Sequence, residues 1–354
     1  MINLNVNLGS IKKEEILLFT QLLSFTLHSG LTVTEGIEIA MTQSNGKMKD
    51  MLSKIQNSVN TGKSFSAALG AFPKNFSPFY INMIKTGEYS GNLEENLRRL
   101  ADHLSKAARL NKSIKSAMIY PTFIVVAMVG IGFAIALFVL PVLLPLFESL
   151  NVELPPTTKG LVFVAKAFET NGFSIILSFI LGVTGLIILL RRNFIKPLLH
   201  RFYLIFPILN TIVININLQR FTNTLSTLIK SGLTIDESII IISDAMDNRV
   251  YKSSLKAIIP IIEGGESMAS ALGKYPKLFP EMVTKMIGVG EKTGTLETTL
   301  AYLGDYYEES VDNTVKNLAS IIEPLLLIVV GIMVGTVALS IISPIAELTG
   351  SVSG

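Results

Sequence analysis

Three stretches of this 354-residue chain contain no Asp, Glu, Lys or Arg: residues 116–147, 170–190 and 324–346, of 32, 21 and 23 residues. A hydrocarbon core about 30 Å thick takes about 20 helical residues to cross, and backbone amides inside it must be satisfied within the segment. Each stretch is long enough, and the pattern predicts three membrane-spanning helices. The charged fraction of the whole chain, 16%, is well under the roughly 25% of an ordinary soluble domain, as such spans require.

The flanking charges set the orientation, because basic residues concentrate on the cytoplasmic side. Arg98, Arg99, Lys106, Arg109, Lys112 and Lys115 precede the first stretch, while residues 148–169 hold only Lys159 and Lys166. Arg191, Arg192, Lys196 and Arg201 follow the second stretch, and the tail after the third has no basic residue. The opening MINLNVNLGSIKKEE lacks the apolar run of a secretory signal, so the chain is expected to start in the cytoplasm. The expected order is a short segment (1–14), a cytoplasmic domain (15–115), the first span region (116–147), an outer loop (148–169), the second span (170–190), a second cytoplasmic domain (191–323), the third span (324–346) and a short outer tail (347–354). At the third span Asp305, Glu308, Glu309 and Asp312 outnumber Lys316, although acidic residues count little in this rule.

The two cytoplasmic domains resemble one another. Phe19-Thr20 through Ser29-Gly30-Leu31-Thr32 match Phe221-Thr222 through Ser231-Gly232-Leu233-Thr234 at an offset of 202. At an offset of 203, Ser64, Ala68-Leu69, Pro73 and Gly87-Glu88 match Ser267, Ala271-Leu272, Pro276 and Gly290-Glu291. The same offset pairs Gly91, Leu93, Leu97 and Asp102 with Gly294, Leu296, Leu300 and Asp305, and the span prolines Pro121 and Pro141 with Pro324 and Pro344. A soluble domain and the span after it thus occur twice. If both copies face one compartment, an odd crossing must return the chain between them, and the unmatched second span does so.

Within each copy the periodicity is helical. Phe19, Leu22, Leu23, Thr26 and Leu27 form a stripe, with Gly30 as its stop. Thr32 with Glu35, and Thr234 with Glu237, have capping-box spacing. The fold class is therefore all-α: a polytopic membrane protein with two repeated cytoplasmic bundles of five or six short helices and three transmembrane helices. Asn92 and Thr295 are placed to open the last, long helix of each bundle.

Signatures of chemistry are weak. The chain has no Cys and three His, at positions 28, 103 and 200, which excludes thiolate sites and disfavours a histidine metal centre. A net charge of +3 gives no basis for nucleic-acid binding. Gly62-Lys63-Ser64 looks like the end of a phosphate loop, but Asn57 stands where that loop needs glycine, and a helix-joining turn is the better reading. Gly288, Gly290 and Gly294 lack the third glycine of a dinucleotide fingerprint. Asp102 and His103 are sequence neighbours that a helix points in different directions. The spans carry no Asp, Glu, Lys or Arg; Glu148, Glu323 and Glu347 lie at their ends, where snorkelling or capping accounts for them. Gly331 and Gly335 have small-xxx-small spacing for close helix contact, whereas Gly130 and Gly132 do not.

Two motifs carry a resemblance. Gly87-Glu88-x-Ser90-Gly91-x-Leu93 and Gly290-Glu291-x-Thr293-Gly294-x-Leu296, each ahead of a long helix and a proline-marked span, are similar to the paired domains of the type II secretion F and type IV pilus PilC family, as are the two Ser-Gly-Leu-Thr segments. The resemblance covers about residues 15–348, and the sequence departs from many members in the short segment ahead of its first domain. It implies a platform in the bacterial cytoplasmic (inner) membrane that recruits a hexameric assembly ATPase and helps pass pilin-like or pseudopilin subunits from the bilayer into a filament. It further implies contact with other inner-membrane assembly proteins and lipid, a homo-oligomer, and no catalytic residue, cofactor or metal of its own; competence-pilus systems contain the shorter members. Gly87, Glu88, Gly91, Gly290, Glu291 and Gly294 are the candidate turn or partner-interface residues, with Glu88 and Glu291 expected to cap the last helix or meet a basic partner. A transporter or channel subunit and a membrane enzyme are the rival classes; charge-free spans argue against the first, scattered histidines and absent cysteine against the second.

Overall fold

A computed structural model of the chain describes residues 11–139, 141–142, 145, 156–190, 195, 202, 204 and 207–352. Among them every regular element is helical. The first half contributes α1 (Lys13–His28), α2 (Val33–Thr42), α3 (Gly46–Asn60), α4 (Phe65–Gly70), α5 (Pro78–Ser90) and the long α6 (Leu93–Ala134). After α7 (Pro156–Leu190) come α8 (Pro207–Lys230), α9 (Ile235–Ala245), α10 (Arg249–Glu263), α11 (Met268–Gly273), α12 (Glu281–Thr293) and α13 (Leu296–Val352).

The helix ends follow from local chemistry. α1 stops in a Schellman turn: Gly30, at φ 84°, donates to Leu27 O at 2.9 Å and the Leu31 amide to Thr26 O at 3.0 Å. Gly232, at φ 95°, ends α8 with the equivalent bonds to Ile229 O and Leu228 O, at 2.9 and 3.2 Å. Only a residue without Cβ adopts this backbone freely. α2 and α9 then start in full capping boxes, Thr32 with Glu35 and Thr234 with Glu237. The Thr32 amide, and next its hydroxyl, hold the Glu35 carboxyl below the usual carboxylate range. Thr32→Ala and Thr234→Ala are each expected to cost about 1 kcal/mol; a fall in the unfolding temperature of the purified protein checks this, and an unchanged temperature contradicts it.

The chain divides into two compact units, residues 1–113 with 197–313, and residues 114–196 with 314–354. The first holds both soluble halves over one apolar core. In one half the rings of Phe19 and Phe76 meet at 6.4 Å and those of Phe76 and Tyr80 at 4.9 Å, and Tyr80 and Thr20 share a hydroxyl hydrogen bond of 2.9 Å. In the other, Phe221, Phe279 and Tyr251 contact at 5.4 and 5.5 Å, with Tyr251 donating to Leu278 O at 2.8 Å. The phenylalanines occupy matching positions, but each tyrosine comes from a different helix, α5 in one half and α10 in the other. Burial pushes both phenols up, so they act as neutral donors.

In the second unit Phe133 lies 5.9 Å from Phe168 and 5.3 Å from Phe179. α6 gives way to a π-helical turn at Ile135–Val139, just ahead of Pro141, whose ring would crowd the carbonyl four residues back in a tight α-turn. Among the described residues two helices are long and apolar enough to cross a membrane, within Leu93–Val139 and Val162–Leu190, against the three expected. The third stretch lies inside α13, where the described apolar run is Leu327–Thr336; side chains around it, Pro344 among them, fall outside the described residues. The expected outer loop is helical from Pro156 onward, and the helix is interrupted only at Asn171 (φ −135°, ψ 26°). Apolar residues such as Val162 and Phe163 extend the second span's pattern backward, so helix continues where a loop was expected.

Candidate functional site

The Gly-Glu-x-Ser/Thr-Gly-x-Leu motifs form two joints, each locking three helices. α4 has only six residues, and the first amides of any helix lack partners within it. The Ser64 hydroxyl accepts from the Ala67 amide at 3.3 Å. The Glu88 carboxylate, reaching back from α5, takes the Phe65 amide at 2.5 Å, the Ser66 amide at 3.0 Å and the Ser66 hydroxyl. In the second half Ser267 accepts from the Ser270 amide at 3.2 Å. Glu291 there takes the Met268 and Ala269 amides at 2.7 and 3.0 Å. Charge-assisted bonds to a helix start are the strong kind, since the helix dipole adds to them.

The glycines complete the joint. Gly91 and Gly294 end α5 and α12 in the left-handed region, at φ 73° and 71°. Gly87 and Gly290 are buried where the next helix crosses: a Cβ would stand 2.9 Å from the Leu93 Cα in one case and 2.9 Å from the Leu296 Cα in the other. Asn96, also buried, donates from its amide to Met83 O at 3.1 Å, tying α6 to α5.

Glu88 and Glu291 therefore cap α4 and α11, not the last helices α6 and α13. The reason is directional: both sit before the glycine that reverses the chain, and helical side chains lean toward the N-terminus of their own helix, here toward α4 and α11. Sequence reasoning missed this partner, although Ser64 and Glu88 have the same separation as Ser267 and Glu291.

The other singled-out residues are dispersed. Pro121 and Pro324 lie inside α6 and α13, and Pro141 follows the π-turn. Gly331 and Gly335 have open space around them. Gly62, at φ 88°, turns α3 into α4, with Ser64 as the helix cap, so the lysine motif is a helix joint. His103 packs against Phe79 with ring centroids 4.5 Å apart and planes tilted by 45°, while Asp102 lies 3.9 Å from Arg98. Among the described residues no group of three or more His, Asp or Glu converges as a metal site.

Contacts between the halves were not evident from sequence. α5 packs on α9. The Arg99 guanidinium, braced by Glu95 at 2.9 Å, donates to the carbonyl of Lys230, the last residue of α8. Lys106 reaches Asp305 at 2.6 Å and Glu308 at 3.8 Å, and the Ser113 hydroxyl donates to Asp312 at 2.9 Å. The acidic run that weakened the orientation argument thus meets the basic approach to the first span. Opposite charge at neighbouring repeat positions was the available signal.

Residues 19–141 and 221–344 match the model of the family described as Type II secretion system (T2SS), protein F. The type IV pilus assembly protein PilC of Thermus thermophilus is 31% identical over 345 residues, 96% of this chain and 84% of that protein. PilC of Myxococcus xanthus is 30% identical, over 97% of this chain and 82% of its own length. The type II secretion system protein F of Vibrio cholerae is 29% identical, over 97% and 84%.

Proposed function

The chain belongs to the type II secretion system protein F family, and from that membership we propose that it is the inner-membrane platform of a type IV pilus or related secretion or competence machine. It couples a cytoplasmic hexameric assembly ATPase to the passage of pilin-like or pseudopilin subunits into a filament, without catalysis of its own. Three crossings, the third at residues 324–346, keep both soluble halves and the amino terminus in the cytoplasm and put the carboxyl end outside. One observation carries this reading: the family model matches twice, and each match begins ahead of a Schellman glycine and ends in an apolar, proline-marked stretch. The joints at Glu88 and Glu291 support a mechanical role. By fixing the short helices to the start of α6 and α13, they let force applied to a bundle pass into an unbroken helix rather than dissipate in a loop.

Deleting the gene is expected to abolish surface filaments while pilin accumulates in the membrane, with filaments restored by the wild-type chain. Reporter fusions after residues 100 and 300 are expected to report the cytoplasm, and one at the carboxyl end the outside. Filaments without the chain, or the two halves on opposite faces, would end this reading.

A further inference from the structure

The first half of the soluble unit holds an Asn-Gly pair that the second half lacks. Asn45 and Gly46 stand at the positions of Asn248 and Arg249 at the offset of 203, and each asparagine is the N-cap of a 15-residue helix, α3 or α10. The two caps are built differently. Asn248 is 6% exposed, and its Oδ1 accepts from the Val250 amide at 2.9 Å and the Tyr251 amide at 3.4 Å. Asn45 is exposed, and its side chain makes no capping bond. Gly46 follows at φ 52°, also exposed, with open space where a Cβ would stand.

Three features favour attack by the main chain on the Asn45 carboxamide. The Gly46 nitrogen, at the first position of α3, has no acceptor within the helix. Glycine leaves the approach of that nitrogen to the asparagine Cγ unhindered and the backbone free to turn into it. The nitrogen must shed its proton to attack, so negative charge develops at the positive end of the α3 dipole, where the first turn carries Lys47 and Lys49 and no acidic residue. At Asn248, by contrast, two amides hold the carboxamide and Arg249 sets a side chain beside the nitrogen. The chain's other Asn-Gly pair, Asn171-Gly172, lies in the second apolar stretch, out of water in the function proposed above.

We propose that Asn45 is a self-modification site, converting without an enzyme to aspartate and isoaspartate. The Gly46 nitrogen bonds to the Asn45 Cγ as the Cγ–Nδ2 bond breaks, and Nδ2 leaves as ammonia with the proton that the attacking nitrogen gave up. Water then opens the five-membered imide. Cleavage at Cγ leaves aspartate; cleavage at the main-chain carbonyl leaves isoaspartate, with the chain running through the former side chain. Either product adds one negative charge at the start of α3. The aspartate is a charged cap and holds the helix better. The isoaspartate lengthens the main chain by one carbon ahead of Met48, which is 3% exposed and lines, with Asn45, Glu15 and Phe19, a pocket of about 140 Å³. Ageing therefore loosens the first half at a point where the second is locked, and the isoaspartyl carboxylate is a substrate for a methyltransferase that uses S-adenosylmethionine. This chemistry does not depend on the function proposed above.

Peptide mass spectrometry of the full-length chain, purified in neutral detergent and held at mildly alkaline pH, tests this. The peptide containing Asn45 is expected to gain about one mass unit and to resolve into two isomers, one of which accepts methyl groups from S-adenosylmethionine when an isoaspartyl methyltransferase is added. The peptide containing Asn248 is expected to keep its mass. A synthetic peptide of residues 41–51 is the unfolded reference, and the folded chain should react at least as fast, because the dipole acts only once α3 has formed. Gly46→Ala should slow the conversion at least about tenfold. An Asn45 peptide of unchanged mass would show that the ring does not close, and equal conversion at Asn248 would show that local geometry does not select the site. A folded chain slower than the synthetic peptide would show that α3 protects the residue. Each of these results overturns the proposal.

Discussion

Charge reversal at Glu88 and Glu291 together is expected to abolish filament assembly while the protein remains in the membrane. Each carboxylate holds two backbone amides at the start of a short helix, and a bond to a charged group contributes about 1.5–3 kcal/mol. A lysine removes those bonds and sets a cation against the positive end of the helix. The apolar spans are untouched, so insertion persists and the loss falls on the bundles. Electron microscopy of filaments and immunoblots of the membrane fraction read the two effects separately. Glu88→Gln and Glu291→Gln, which keep an acceptor without its charge, should fall between wild type and reversal. Normal filaments from the doubly reversed protein would show that these joints carry no functional weight.

Gly87→Ala and Gly290→Ala are expected to be damaging methyl additions in the soluble unit. The atom that a Cβ would meet in each is a backbone Cα at 2.9 Å, so relief requires a whole helix to shift; overpacking of this kind costs about 1–3 kcal/mol. Gly91→Ala and Gly294→Ala have open space and incur only the left-handed backbone penalty, about 1–2 kcal/mol. The temperature at which trypsin begins to cut the soluble unit should therefore fall at least as far for Gly87→Ala as for Gly91→Ala. A Gly87→Ala protein as resistant as wild type would contradict the close approach of α5 and α6.

What could be read from the sequence was what the chain decides locally. The glycine stops at Gly30 and Gly232, the capping boxes of Thr32 and Thr234, and the helix starts at Leu93 and Leu296 depend on residues within four positions, and the spacing displays them. The family was legible because its motifs recur in order along the chain. The partner of Glu88 was not, since the amides it holds lie 22 and 23 residues away and backbone groups leave no mark in a sequence. Nor was the pairing of Lys106 with Asp305, 199 residues apart: periodicity shows which face a residue occupies, not what that face meets.

The one-sided contact between the halves has a consequence for heredity. In an assembly of identical subunits every substitution arrives in all positions at once and must suit each of them. Here the codons for Arg99 and its repeat counterpart Tyr302 are separate, so the charged seam between the halves, which salt screens, can change its chemistry without altering the face that Tyr302 presents. A gene built this way can alter one version of a duplicated face while leaving the two halves firmly joined.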